Sequence, residues 1–144
     1  MTHSPTTRCS AAALVLALAP LAPASAQTRG PYDGTWTVAF ACPAARDGTA
    51  GYQRNFLATV QNGTLHGEIG VQGQASYLAL DGPIQPDGTA TLTGRGLTGK
   101  ADLAVGRPSP ATPYVFRLQS RFDGAHGTGS RVEVRRCDAV FSRN

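Results

Sequence analysis

The chain has 144 residues and a formal net charge of +4, from 13 basic and 9 acidic residues. A chain of this length builds one domain with a modest core, which excludes a multidomain architecture. Lysine occurs once, at Lys100, and the arginines are scattered rather than grouped in runs, so the composition does not predict a nucleic-acid-binding protein.

The first 26 residues have the pattern of a secretory signal peptide. A polar start with one positive side chain precedes an apolar stretch that Pro20 and Pro23 interrupt, and Ala-Ser-Ala follows as a cleavage site ahead of Gln27. The apolar stretch is shorter than the roughly 20 residues that span a bilayer. We therefore expect a periplasmic or secreted protein without stable membrane insertion, whose single domain covers residues 27–144.

Two cysteines remain after this segment, Cys42 and Cys137. Export into an oxidising compartment favours a disulfide between them. Such a bond would join the first strand to the last and close a loop around nearly the whole domain.

Strand patterns and turn dipeptides dominate the rest of the chain, and helix signals are nearly absent. Asp-Gly and Asn-Gly pairs supply the positive φ values of tight hairpins, among them Asn62-Gly63, Asp81-Gly82 and Asp87-Gly88. The alternating runs, in chain order, cover residues 35–42, 52–60, 65–71, 75–80, 82–85, 89–95, 113–122 and 132–141.

The last of these runs changes face within its length. Val132 and Val134 have even numbers, whereas Cys137 and the apolar residues after it have odd ones. Because a slip of one residue turns a strand over, either a bulge lies at Arg135-Arg136 or the run consists of two separate strands. We favour the bulge.

About eight strands fit either a small closed barrel or two packed sheets. Sequential hairpins, and a disulfide that joins the terminal strands, favour closure. The sequence thus predicts an all-β fold, a small antiparallel up-and-down β-barrel, with a two-sheet β-sandwich as the alternative.

Motifs for catalysis or cofactor binding are incomplete. Residues 94–101, GRGLTGKA, match the body of a P-loop, but Ala101 replaces the Ser or Thr that holds Mg²⁺, and no helix pattern follows. No Gly-x-Ser-x-Gly occurs, and His66 and His126 lie next to glycine near turns, where exposed histidines are ordinary. We therefore predict no catalytic residue, no metal, no cofactor and no enzymatic activity.

Gly34-Thr35-Trp36, at the start of the first strand, resembles the Gly-x-Trp start of lipocalin-type and avidin-type, calycin-like barrels. The resemblance implies that the tryptophan plugs one end of a barrel and that an arginine from the last strand covers it. The whole pattern also resembles small exported bacterial β-barrel proteins of uncharacterised function, which implies no activity. The candidates for the covering arginine are Arg135, Arg136 and Arg143.

The function we expect is that of an exported, non-enzymatic binding module, a monomer that carries a small apolar ligand in the barrel. The alternative is a surface-interaction protein with a filled core, such as a protease inhibitor or an envelope-associated factor, that uses loops 43–51 and 106–113 and the arginine face of residues 117–121. A small apolar ligand or an anionic envelope component is the expected partner, and nucleic acid is not. The aromatic residues expected to line a cavity are Trp36, Phe40, Phe56, Tyr77, Tyr114 and Phe116.

Overall fold

The computed structural model describes Met1, residues 29–131 and residues 133–144. The predicted signal peptide, Met1 aside, lies outside these described residues. The strands are β1 (Gly34–Cys42), β2 (Tyr52–Gln61), β3 (Thr64–Ile69), β4 (Leu78–Pro83), β5 (Thr89–Leu97), β6 (Pro113–Asp123), β7 (His126–Arg131) and β8 (Cys137–Arg143). A three-residue 3₁₀ helix, Ala101–Leu103, lies between β5 and β6.

The eight strands form one closed antiparallel barrel in which each strand pairs with the next and β8 pairs with β1. The closing pair runs from Trp36 opposite Arg143 to Ala41 opposite Asp138. The predicted up-and-down barrel is therefore confirmed, and the sandwich alternative is not adopted.

The two ends of the barrel differ in their connections. At one end, which we call the closed end, short connections join β2 to β3, β4 to β5 and β6 to β7. The β2–β3 hairpin turns at Asn62-Gly63, with φ values of 51° and 71°, the left-handed values that an Asn-Gly turn supplies. At the other end, the open end, longer segments connect the strands, among them residues 43–51 and 98–112.

One predicted turn is wrong. Asp81-Gly82 lies inside β4, where Asp81 pairs with His66 on one side and with Thr93 on the other. Pairing with both neighbouring strands holds this dipeptide extended, so the two short predicted strands around it form one continuous strand.

The predicted bulge in the last strand is also wrong. β7 ends at Arg131 and β8 begins at Cys137, so residues 133–136 of the predicted run connect two antiparallel strands, and the alternative of a separate strand that includes Val134 is wrong as well. Val134 lies in their connection, exposed, with a φ of 61°. The change of face along the sequence therefore reflects a reversal of the chain.

Alternation along the strands sends aromatic and aliphatic side chains into the barrel. At the closed end, Phe122 packs edge-on against Trp36 with ring centroids 5.4 Å apart, and its centroid lies 4.9 Å from that of Phe141. Nearer the open end, Phe40 and Phe116 stack at 5.6 Å. These rings fill the barrel from the closed end up to Phe40 and Phe116, and a pocket lies beyond them, towards the open end.

The predicted disulfide is present. Cys42, the last residue of β1, is bonded to Cys137, the first residue of β8, with their Cα atoms 4.2 Å apart. Both side chains are buried, and the bond therefore fastens the closing strand pair at the open end.

Candidate ligand-binding pocket

A pocket of about 340 Å³ lies at the open end of the barrel. Its walls come from the open-end residues of β2, β4, β5, β6 and β7, and from the long β5–β6 connection. Aliphatic side chains supply much of the wall, namely Leu78, Leu97, Leu103, Val105 and Val115. The volume falls within the range of about 300–1,000 Å³ that is typical of small-molecule sites.

The floor of the pocket is aromatic. Tyr114 lines it and stacks on Phe116 with centroids 6.2 Å apart, and Phe116 stacks in turn on Phe40. Burial raises the pKa of the Tyr114 hydroxyl, because removal from water disfavours the phenolate. Tyr114 therefore presents a neutral hydroxyl to the pocket at physiological pH.

Two arginines occupy strand positions that face the barrel interior. Arg54 shares its face of β2 with Phe56, whose side chain is buried, and Arg131 shares its face of β7 with the buried Gly129. Both arginines line the pocket. At the open end, the inward positions of β2 and β7 thus hold cationic side chains, whereas deeper in the barrel they hold apolar side chains or glycine.

Arg131 lies against the aromatic floor. Its guanidinium carbon is 4.6 Å from the Phe116 ring centroid, a cation–π distance, and Nε donates a hydrogen bond to the Glu133 backbone oxygen at 3.2 Å. Partial burial lowers the pKa of this guanidinium, because desolvation penalises the charge. An arginine nevertheless keeps its proton in proteins, so the pocket holds a partly desolvated cation.

Arg54 is held in place at the pocket by its own contacts. Its Nη1 donates to the Ser76 carbonyl oxygen at 2.8 Å, and its guanidinium carbon lies 5.9 Å from the Tyr52 ring centroid. The carbonyl accepts one hydrogen bond and carries no negative charge. Arg54 is thereby held in place without a counterion at that contact.

Among the residues that the structure describes, Arg135 is the most buried charged residue, at 7% exposure. Its Nη1 donates to Leu103 O at 2.8 Å, while Nη2 donates to Pro43 O at 2.5 Å and to Ala50 O at 2.7 Å. Its Nε is buried without a hydrogen-bond partner among the described residues. This side chain ties the β1–β2 and β5–β6 connections to the β7–β8 connection and so shapes the pocket.

The charged side chains that line the pocket are all positive. Four cationic residues line it, and among the described residues no Asp or Glu does. The side-chain ion pairs found within residues 29–131 and 133–144 join His66 to Glu68 and Asp81, and Arg136 to Asp138, away from the pocket. The cations are Arg54, Lys100, Arg131 and Arg135. Within the described residues, the lining of the pocket therefore carries four positive charges and no negative one, and Glu133, in the β7–β8 connection, attracts Arg131 from outside that lining.

The six aromatic residues predicted to line a cavity do not gather at one site. Trp36, Phe40, Phe56 and Phe116 are buried in the filled core, and Tyr114 alone among the six lines the pocket. Tyr77 lies outside it and donates a hydrogen bond to Glu68 at 2.7 Å.

Sequence reasoning missed the arginines of the pocket, although a signal for one of them was present. Extending the inward alternation of β2 back from Phe56 places Arg54 and Tyr52 on the same face. Arg131 carried no comparable signal, because the strand that contains it was not recognised. Arg135 acts from a connection, where alternation predicts nothing.

A second polar cluster lies on the outer face of β3 and β4. His66 Nδ1 contacts Asp81 Oδ1 at 2.5 Å, and His66 Nε2 is 3.6 Å from Glu68 Oε1. The hydrogen bond to Asp81 raises the pKa of His66. His66 is 57% exposed, and no group of three or more His, Cys, Asp or Glu residues in the described part of the chain could hold a metal ion.

At the closed end, one of the three candidate arginines covers the tryptophan. The Arg143 guanidinium carbon lies 5.3 Å from the Trp36 ring centroid, and Arg143 Nη2 donates to the carbonyls of Pro31 and Gly124. Of the other two, Arg135 lies at the open end and Arg136 is exposed beside Asp138.

Comparisons with protein-family models, with curated proteins and with solved structures each returned no match to the chain. Within residues 29–131 and 133–144, no helix has the length and apolar composition needed to cross a membrane.

Proposed function

We propose that this protein is an exported, non-enzymatic binding module that takes a small organic molecule into the pocket at the open end of the barrel. The pocket itself is the observation that carries the proposal: about 340 Å³ of space with aliphatic walls and an aromatic floor, above a core that is otherwise filled. Apolar walls with a few converging polar groups are typical of ligand sites.

Two further observations support parts of this proposal. The Cys42–Cys137 disulfide favours a periplasmic or secreted location, where such bonds persist. The stacking of Arg143 on Trp36 is the arrangement that the resemblance to lipocalin-type and avidin-type barrels implies. It supports a relationship to ligand-carrying barrels, which we offer as part of the proposal.

The test is binding of a neutral apolar fluorescent probe, N-phenylnaphthylamine, to the purified protein with its disulfide intact. We expect saturable fluorescence enhancement with one probe per chain. Ala104→Trp places an indole in the pocket wall and should abolish it, whereas Leu57→Trp on the exposed outer face of β2 should leave it unchanged. Binding that both variants retain equally would place the probe elsewhere and overturn the proposal.

Native mass spectrometry of the protein purified gently from its own host tests the same proposal without a chosen probe. We expect a mass above that of the processed chain, which falls to the chain mass on denaturation. The difference gives the mass of the ligand.

The surface-interaction alternative is supported by the filled core below the pocket, where the rings of Trp36 and Phe141 both pack against Phe122. A protease inhibitor or envelope-associated factor would work through the connections at the open end. A protein that binds no probe and carries no bound molecule would favour this second function.

A further inference from the structure

The pocket places two arginines at inward strand positions near the open end, whereas the inward positions of the same strands deeper in the barrel hold apolar side chains or glycine. On β2 the inward series runs from the buried Val60, Ala58 and Phe56 to Arg54. On β7 it runs from Gly127 and Gly129 to Arg131. Removing a cation from water is costly unless an anion or several hydrogen bonds compensate it.

We propose that the ligand of this pocket is an amphiphilic organic anion, whose acidic head group pairs with Arg131, with Arg54 as a second cation of the lining, and whose apolar part lies against the walls of the pocket. This inference rests on the proposed function and specifies the class of its ligand. The head group is a carboxylate or another singly charged oxyanion.

The hydrogen bonds of Arg131 leave a place for such a head group. Within the described part of the chain, its Nε donates to the Glu133 carbonyl, and its two terminal nitrogens make no hydrogen bond. Those nitrogens form the fork that binds an oxyanion through two parallel hydrogen bonds. The ring of Phe116 supports the guanidinium from one side, so its position is fixed before a ligand arrives.

The neighbouring cations strengthen the preference for negative charge. Arg54 keeps one terminal nitrogen on Ser76 O, which leaves the other, together with Nε, without a hydrogen bond among the described residues. Arg135 is engaged by backbone carbonyls and contributes its charge rather than a free donor fork. Lys100, at the exposed rim, attracts anions from solution.

The aliphatic wall of the pocket favours a ligand that also has an apolar part. Leu97, Leu103 and Val105 offer no hydrogen bonds, so a small inorganic anion would leave them facing water. A neutral apolar molecule would instead remove Arg131 from water without compensating its charge. A molecule with both an acidic head and an apolar body satisfies both parts of the pocket.

The test compares two fluorescent probes that share one aromatic frame and differ in charge. Anilinonaphthalene sulfonate carries a sulfonate, and N-phenylnaphthylamine is neutral. We expect the sulfonate to bind the wild-type protein about 10- to 100-fold more tightly, the range that charge-assisted hydrogen bonds provide. Arg131→Gln should remove most of that advantage and leave the affinity for the neutral probe within about twofold.

Matched controls separate the pocket charge from the overall charge. Arg117→Gln removes an exposed arginine from the outer face of β6, and we expect both probe affinities to stay unchanged. Arg131→Lys keeps the charge and should restore part of the sulfonate preference. Near-ultraviolet circular dichroism checks that each variant keeps its packing, since an unfolded variant binds such probes nonspecifically.

A second measurement needs no variant at the pocket. Dodecanoate and dodecanol have the same alkyl chain, and each is titrated against the bound neutral probe at a pH where the acid is ionised. We expect dodecanoate to displace the probe at lower concentration than dodecanol, and inorganic phosphate not to displace it.

The outcomes distinguish this inference from the proposed function. Equal affinity for the charged and neutral members of each pair, or equal weakening of both probes by Arg131→Gln, overturns the anion preference and leaves a ligand-binding barrel. Failure of every probe to bind overturns the proposed function itself.

Discussion

Removal of the Cys42–Cys137 disulfide should destabilise the protein substantially. The bond closes a loop with a sequence separation of 95 residues, for which the chain-entropy relation gives about 4–5 kcal/mol of stabilisation. Single domains are typically stable by about 5–15 kcal/mol, so a large share of the total depends on this bond. The β1–β8 ladder still closes the barrel without it, which means that the reduced chain should fold, but weakly.

The assay is urea unfolding, followed by tryptophan fluorescence, of the oxidised wild type, the reduced wild type and Cys42→Ala/Cys137→Ala. Reduction changes no other side chain and is therefore the cleanest comparison. The double variant adds the loss of two buried sulfur atoms, whereas serine would bury unpaired hydroxyls at the same positions. We expect both forms to lose about 3–5 kcal/mol in the free energy of unfolding.

The result that would refute this reasoning is specific. If thiol titration shows no free cysteine in the oxidised protein, and reduction still changes the free energy of unfolding by less than about 1 kcal/mol, the entropic account fails. The pairing of β1 with β8 would then persist in the unfolded chain, so the disulfide would have little conformational freedom to remove there.

Three further predictions concern the core, the closed end and the outer surface. Gly94→Ala should lower the free energy of unfolding by about 1–3 kcal/mol by urea titration, because an added Cβ would overlap the ring of Phe116; an unchanged midpoint would contradict the packing. Arg143→Gln should lower the free energy of unfolding by about 1–3 kcal/mol, because two charged hydrogen bonds to carbonyls and the stacking on the Trp36 indole are lost. A melting temperature equal to that of the wild type would contradict a stabilising role of Arg143 at the closed end. His66 has a raised pKa because of Asp81, so its contribution is fully present below the usual value of 6.5 and is lost as the pH rises through the raised pKa. Because His66 is exposed, we expect its protonated form to contribute under about 1 kcal/mol to the free energy of unfolding. The measurement is the pH dependence of the free energy of unfolding of the wild type and of His66→Gln, and identical profiles would refute this contribution.

The pocket and the disulfide share one end of the molecule, and this has a consequence for ligand binding. Arg135 donates to the Pro43 and Ala50 carbonyls on the connection that follows Cys42. Reduction removes the covalent link between β8 and the residue before that connection, so one support of the pocket weakens while the pairing of Ala41 with Asp138 remains.

The strands and their pairing order were determined largely by the sequence. Alternation of apolar and polar residues fixes which side chains face inward, and short Asn-Gly and Asp-Gly turns limit each strand to its sequential neighbour. Two cysteines at the ends of the first and last strands then indicate closure. Alternation and turn dipeptides are local signals, because each depends on residues a few positions apart, whereas the cysteine pair is 95 positions apart in the sequence.

Other features of the fold depend on contacts between residues that are distant in sequence, and local patterns could not predict them. Asp81-Gly82 has turn chemistry, yet hydrogen-bonded neighbours on both sides hold it in a strand. The place where the last run reverses depends on the partners of β7 and β8, which are distant in sequence.

The pocket also belongs to the tertiary structure. The aromatic residues that the sequence offered for a cavity fill the barrel instead, because the small circumference of eight strands leaves room for side chains and little more. Where the rings end, Arg54 and Arg131 line one pocket from strands far apart in the chain, with Phe116 beneath Arg131. Alternation gives the direction of a side chain, whereas closure of the barrel decides which side chains line the same pocket.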